Sequence, residues 1–320
     1  MTFWYQPLTW WAWALYPFSL LFLVVSKVRR IILQASSQKQ SQVAHPVIVV
    51  GNISVGGNGK TPFVIWLCEM LISEGYKPGI VSRGYGGKSN RYPLLLNEDT
   101  QGKEAGDEPV MLYKRLGVPI VVDPNRVNAV NYLNEVCDID ITITDDGLQH
   151  YALARDIEIV VVDGQRRFGN QKLMPMGPLR EPLSRLKEVD FIVNNGEAAE
   201  GEVTMLLAPQ PCKPVNGREA CLPKLVKVNC CAAIGYPQRF FDSLYGQHYK
   251  IEKQIPFADH HAYEEADFAQ FSTALPLLMT EKDAVKCHQF ALPNWWYLPI
   301  DAQLPDNFAH QLLQKIKDLK

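Results

Sequence analysis

The segment Ser54-Val55-Gly56-Gly57-Asn58-Gly59-Lys60-Thr61 constrains this chain more than any other. It follows a short apolar run, Val47-Ile48-Val49-Val50, and precedes a helix-like stretch, residues 62–74. Strand, glycine loop, Lys-Thr and helix in that order cradle a nucleoside triphosphate. Glycines let backbone N–H groups turn inward on the phosphates, and the helix N-terminus adds a positive dipole end. Lys60 is placed to reach the β- and γ-phosphates and the Thr61 hydroxyl to ligate Mg²⁺. Ser54 stands where the pattern G-x-x-x-x-G-K-[ST] usually has its first glycine. The plainer reading, a glycine-rich turn followed by chance by Lys-Thr, is opposed by the flanking strand and helix.

From His45 onward, apolar runs alternate with helix-like segments. Candidate strands are residues 47–50, 79–82, 119–122, 139–144, 157–162 and 191–193. Candidate helices are 62–74, 108–116 and 126–135. Short runs rich in β-branched residues without strict alternation are buried on both faces, as parallel strands are. The fold class expected is α/β, a P-loop, doubly wound and mostly parallel sheet with ligands at the carboxyl ends of its strands. Residues 194–224, rich in Gly, Pro, Glu and Ala, read as a connection. A smaller α/β unit follows, with strands near 225–231, 277–279 and 296–298 and helices over 266–274 and 307–317. The expected division is an N-terminal helix, 1–34, a nucleotide-binding unit, 35–224, and a C-terminal unit, 225–320, with a polar linker over 34–44.

The N-terminus stands apart in composition. Residues 10–25 carry no charge, and Lys27, Arg29 and Arg30 follow at once. No basic residue precedes the run and no small-residue cleavage site ends it, which speaks against a removed signal peptide. Sixteen uncharged residues are short for crossing about 30 Å of hydrocarbon. Trp4, Tyr5, Trp10, Trp11, Trp13 and Tyr16 suit the headgroup level, and the basic cluster suits an anionic cytoplasmic leaflet. A membrane-associated helix is expected, either spanning or lying in the interface; a helix packed on the protein's own body is the alternative. The net charge of −2 provides no basic field for nucleic acid. Seven cysteines without a C-x-x-C pair fit a reducing compartment rather than a disulfide framework or a zinc knuckle.

A phosphate loop needs a second Mg²⁺ contact at the end of a nearby strand. The run 139–144 ends in Asp145-Asp146-Gly147, two carboxylates suited to a hard cation; taken alone, Asp-Asp-Gly is also a common turn. Asp107 and Glu108 open a helix, where they either cap it or place a carboxylate near the γ-phosphate able to orient or deprotonate a hydroxyl. Arg83 and Tyr85 lie in the glycine-spaced loop Ser82-Arg83-Gly84-Tyr85-Gly86-Gly87, and Arg126 begins a helix. Either arginine could meet a phosphate or stay on the surface. Met174 to Pro182 is a Pro-rich loop carrying Arg180 and Glu181. In Asp259-His260-His261, adjacent histidines diverge and make a poor metal pair; one histidine held by Asp259 or Asp107 could share a proton.

Together these stretches resemble the tetraacyldisaccharide 4′-kinase (lipid A 4′-kinase) family. The resemblance rests on residues 49–62, 82–87, Gly106-Asp107-Glu108-Pro109, Asp145-Asp146-Gly147-Leu148-Gln149-His150, Leu179-Arg180-Glu181 and Met279-Thr280-Glu281-Lys282-Asp283-Ala284, in order across the chain. Ser54 belongs to that family's pattern. The resemblance implies transfer of the ATP γ-phosphate, with Mg²⁺, to the 4′-hydroxyl of an acylated glucosamine disaccharide 1-phosphate at the cytoplasmic face of the inner membrane. Carried over by motif, Ser54 to Thr61 bind ATP, with Lys60 catalytic. Thr61, Asp145, Asp146 and Glu108 form the metal side. Asp107 is the catalytic carboxylate, with His260, from Phe257-Ala258-Asp259-His260, as its partner. Arg83, Tyr85, Arg126, Gln149, Arg180 and Glu181 are nucleotide, phosphate or lipid contacts. Two other classes fit a phosphate loop: a nucleotide-hydrolysing switch or maturation NTPase, and a membrane-tethered protein with a decayed site. Thr280-Glu281-Lys282-Asp283 lacks the N/T-K-x-D spacing of guanine recognition, and Lys60, Thr61, Asp107, Asp145 and Asp146 are all present.

Overall fold

The computed structural model describes residues 2–40 and 45–319. Two 3₁₀ turns, Thr2–Tyr5 and Trp10–Leu15, lead into helix α1, Tyr16–Gln40. The expected polar linker from 34 is helical as far as 40, since no Gly or Pro there interrupts the hydrogen-bond ladder. Residues 41–44 lie outside the described residues.

The main sheet is built from β1 (Val47–Gly51), β2 (Pro78–Ser82), β3 (Leu94–Leu95), β4 (Ile120–Val122), β5 (Ile141–Thr144), β6 (Ile157–Asp163), β7 (Phe191–Asn195) and β8 (Val203–Pro209). The smaller sheet takes β9 (Lys213–Pro214), β10 (Lys227–Ala232), β11 (Lys250–Pro256), β12 (Leu277–Thr280) and β13 (Trp295–Leu298). The chain then returns: β14 (Ile300–Gln303) pairs antiparallel with β8 and makes the main sheet nine-stranded, in the order β14-β8-β7-β6-β1-β5-β2-β4-β3. Only the β14–β8 and β3–β4 pairings in that sheet are antiparallel. Ile48 and Val50 of β1 enter one core cluster and Val47 and Val49 the other, so successive side chains point to opposite, equally dry faces. That is why β1 reads as an unbroken apolar run.

Helices α2 (Lys60–Ser73), α3 (Gly102–Ala105), α4 (Asp107–Leu116) and α5 (Arg126–Val136) follow strands of the main sheet, while α6 (Pro237–Gly246) and α7 (Glu281–Cys287) belong to the smaller unit. The last helix, α8 (Asp306–Lys317), packs beside α2: Phe308 stacks on Trp66 with centroids 5.6 Å apart and lies 6.4 Å from Phe63. Ile300 still touches the core of the smaller unit, but Ala302, Phe308, Leu312, Leu313 and Ile316 enter the core of the main sheet, not that of the smaller unit to which the sequence assigned 307–317. Residues 266–274 are not the helix expected. A 3₁₀ turn, Glu265–Phe268, ends there because Phe268 and Phe271 are drawn into the aromatic cluster around Trp295. The presumed connection 194–224 contains β8 and β9.

Two features of this topology position the site. The phosphate loop leaves the carboxyl end of β1. The flanking strands β5 and β6 end in Asp145-Asp146 and Asp163, so three strand ends deliver their chemistry to one edge.

Candidate active site

The phosphate loop turns through Gly59, whose φ of +89° caps α2 in the left-handed region. A Cβ there would also sit 2.8 Å from Asn195 Nδ2, so only glycine fits. The Ser54 and Asn58 side chains bind each other, Asn58 Nδ2 donating to Ser54 Oγ at 3.1 Å, and both are buried. They brace the loop internally and leave Val55, Gly56, Gly57 and Gly59 to offer backbone. Lys60 and Thr61 open α2, half-buried, and Lys60 Nζ lies 3.4 Å from Asp146 Oδ1.

Asp145 is buried, and burial, then the nearby Glu108 carboxylate, push its pKa well up against the pull of Lys60. Asp146 is raised by burial but ends below the usual carboxylate range, because Lys60 and Arg180 outweigh that cost. Asp146 Oδ1 faces the Lys60 ammonium at 3.4 Å but accepts no well-aligned hydrogen bond. Among the described residues no three His, Cys, Asp or Glu side chains converge on one point. Mg²⁺ at a nucleotide needs fewer: one or two carboxylates, with phosphate and water oxygens completing the octahedron. A carboxylate oxygen beside the phosphate loop with room for a further contact, a second carboxylate adjacent, and the Thr61 hydroxyl fit that requirement.

Arg126 is not on the surface. It is 3% exposed and its guanidinium donates to the carbonyls of Asp145 and Asp146, both at 3.4 Å, which places it beneath the Asp-Asp turn. Burial lowers its pKa to about 10, with Asp145 opposing. Arg180 reaches the site, 3.3 Å from Asp146 Oδ2, and Gln149 spans Asn52 O and Glu181 Oε1, both at 2.8 Å. Glu181 departs from the expectation of a ligand contact. It is turned inward, accepting from Tyr151 Oη and Gln149 and lying 3.5 Å from buried Arg185. Arg83 and Tyr85 are exposed on the loop after β2.

Asp107 and His260, far apart in the chain, come together with Oδ2 3.7 Å from Nδ1. Asp107 opens α4 after Gly106, whose φ of +89° lets the backbone press against the 84–87 loop; a Cβ would meet Tyr85 O at 2.7 Å. The Tyr85 ring lies 5.1 Å from the His260 ring. His261 points elsewhere, bound to Asp267 at 2.9 Å and stacked on Phe257. Two lysines also face this pair, Lys282, which was read only as part of a motif, and Lys286, which the sequence reading missed. Lys282 Nζ is 3.5 Å from His260 Nε2 and 3.9 Å from Glu108, and Lys286 Nζ is 4.0 Å from Asp107. Their i, i+4 spacing on α7 was the available signal; what the sequence lacks is that α7 packs against α4. Asp163 was missed too, although an apolar strand ending in Asp was the feature that singled out Asp145.

The family model described as "LpxK: Tetraacyldisaccharide-1-P 4'-kinase" matches residues 11–317. A tetraacyldisaccharide 4′-kinase of Psychromonas ingrahamii is 62% identical over 320 residues, covering 100% of both chains, and one of Tolumonas auensis is 52% identical over 99% of this chain and 97% of its own. The crystal structure of the "apo" form of LpxK from Aquifex aeolicus in complex with ATP superposes with a TM-score of 0.81 at 27% identity, over 95% of this chain and 99% of that one.

Proposed function

The chain belongs to the tetraacyldisaccharide-1-P 4′-kinase family, and from that premise we propose how its residues carry the reaction and where it works. The enzyme transfers the γ-phosphate of ATP to the 4′-hydroxyl of a tetraacylated glucosamine disaccharide 1-phosphate, in lipid A biosynthesis. The 4′-oxygen forms a bond to the γ-phosphorus, the β,γ-bridging P–O bond breaks, and ADP departs. In our reading Asp107 takes the hydroxyl proton and His260 holds the Asp107 carboxylate in position. Loop amides and Lys60 carry the charge on the phosphates, and Arg180 fixes Asp146. Mg²⁺ held by Thr61, Asp145 and Asp146, with Glu108 nearby, would neutralise phosphate charge as the bond to ADP breaks.

The observation that carries this reading is the 3.7 Å approach of His260 to Asp107 between the smaller unit and the main sheet, beside the carboxylate turn. The division into N-terminal helix, nucleotide unit and smaller unit is part of it, with residues 300–317 counted with the nucleotide unit. The test is acceptor-dependent ATP turnover in detergent micelles. Asp107→Ala should lower kcat by about 10²-fold or more, the usual worth of a positioned base. Undiminished turnover would return Asp107 to the role of a helix-start residue.

We also place the enzyme at the cytoplasmic face of the inner membrane through α1. Trp10, Trp13, Phe18, Leu21, Val24, Val25, Val28, Ile31 and Ile32 are all at least half exposed, a run of apolar surface that water does not favour. A lipid acceptor accounts for that surface on a kinase.

A further inference from the structure

Two side chains hold carbonyls of the phosphate loop. Arg166 donates from its guanidinium to the carbonyl of Gly57, and Tyr5 Oη donates to the carbonyl of Val55 at 3.3 Å. Neither peptide that follows is cis. In a trans peptide the C=O and the next N–H point in opposite directions. Each gripped carbonyl therefore turns the N–H that follows it, that of Asn58 and likewise that of Gly56, away from Arg166 and Tyr5, where it can donate to a phosphate oxygen.

Arg166 is itself fixed. Its Nε and Nη2 lie 3.2 and 3.0 Å from Asp163 Oδ2, and its backbone N–H donates to Asp163 Oδ1 at 2.8 Å. Asp163 is 1% exposed at the end of β6, beside the loop strand. The same carboxylate receives Arg239 from α6 of the smaller unit, Nη1 at 2.7 Å and Nη2 at 3.0 Å. One buried acid thus joins an arginine on the phosphate loop to an arginine on the other unit.

We propose that Arg166 is a positioning residue of the phosphate loop, and that Asp163 couples its hold to the seating of the smaller unit through Arg239. The proposal rests on the loop's role in binding ATP. A loop whose amides are aimed in advance loses less freedom when ATP arrives, so the brace acts on nucleotide affinity rather than on the Asp107 proton transfer.

The experiment is MgATP binding to the full-length chain in detergent by titration calorimetry, without acceptor lipid, followed by steady-state kinetics with it. Arg166→Ala should weaken MgATP binding about tenfold, as loss of one charge-assisted hydrogen bond does. Its KM for the lipid should stay within about twofold, since a folding defect would not single out the nucleotide. Arg239→Ala should weaken MgATP by about threefold, and the double variant should be no weaker than Arg166→Ala alone, because both act through one carboxylate. Arg166→Gln, which keeps bulk and loses the charge, serves if the alanine protein does not fold. Binding within twofold of wild type in the Arg166 variants, or effects of Arg166→Ala and Arg239→Ala that multiply, would overturn the proposal. Lys60→Ala run alongside separates the premises: if it also binds MgATP normally, the loop's role is wrong, and if it alone fails, only the brace is.

Discussion

Arg180 and Glu181 are neighbours in the chain with different settings. Arg180 reaches out to Asp146, whereas Glu181 enters a closed network with Tyr151, Gln149 and Arg185, whose side chain is 2% exposed and pairs with Glu158 at 2.5 Å. Strand position does not separate the two; burial does, and burial of a loop residue is set by what packs over it. Glu181→Gln is therefore predicted to act on stability. It leaves Arg185 and Tyr151 facing an amide, at a cost of about 1–3 kcal/mol for a disrupted buried polar contact. The thermal midpoint should drop while the KM values for ATP and lipid stay within twofold; a raised KM with an unchanged midpoint would restore Glu181 as a ligand contact. The residues most legible in the sequence, Lys60, Asp145 and Asp146, are those whose role follows from a local strand-loop-helix pattern. For the 3.7 Å meeting of Asp107 and His260 the residues alone offered either histidine, held by either Asp259 or Asp107, and only family resemblance chose among these, because no local pattern reports a contact between two units.

Elements were read well where composition is concentrated and poorly where it is diluted. β1, β5 and β6 are continuous apolar runs buried on both faces. β8 was lost inside a long polar-looking segment, and the edge strand β11, with Lys250, Glu252 and Lys253 along it, offers no hydrophobic run because its outer edge faces water. The N-terminal elements combine both behaviours. Trp4 Nε1 donates to Pro175 O at 3.0 Å and Ser19 Oγ to Leu173 O at 2.9 Å, so the start of the chain docks on the Pro-rich loop, which in turn accepts Val55 N–H through Pro178 O. Beyond Ser19 most apolar side chains of α1 are exposed, among them Leu21, Val24, Val25, Val28, Ile31 and Ile32. Val25→Glu with Ile32→Glu should remove vesicle binding by an order of magnitude or more, as each charge opposes burial in the acyl boundary. Binding of MgATP should be unaffected, since neither residue touches the loop. Co-flotation with anionic vesicles measures it, and full retention by the double variant would assign membrane contact to another surface.

At the scale of the whole molecule, the two units are joined by charge as well as by the returning strand β14. Arg239 meets Asp163, and Arg115 of α4 meets Glu281 of α7 at 2.7 Å. Such pairs give the assembly a pH dependence whose sign is fixed. Burial alone would raise Asp163, but Arg239 and Arg166 bring it below the usual carboxylate range; Glu202, opposed by burial and held by Arg167, Asn194 and the Ala199 N–H, falls to about 2. Groups with depressed folded-state pKa values contribute fully above the unfolded carboxylate range, near 4, and lose that contribution as pH falls through the folded value. Stability should thus decline as the pH drops below about 4.5, continuing toward 2. Asn at position 163 cannot ionise at any pH, so Asp163→Asn should lower the unfolding midpoint clearly at pH 7 and by a smaller margin at pH 3. Thermal scans of both proteins at the two pH values read this directly. An equal gap at both would mean that the Asp163 charge adds nothing to cohesion between the units and that its packing alone is what the fold requires.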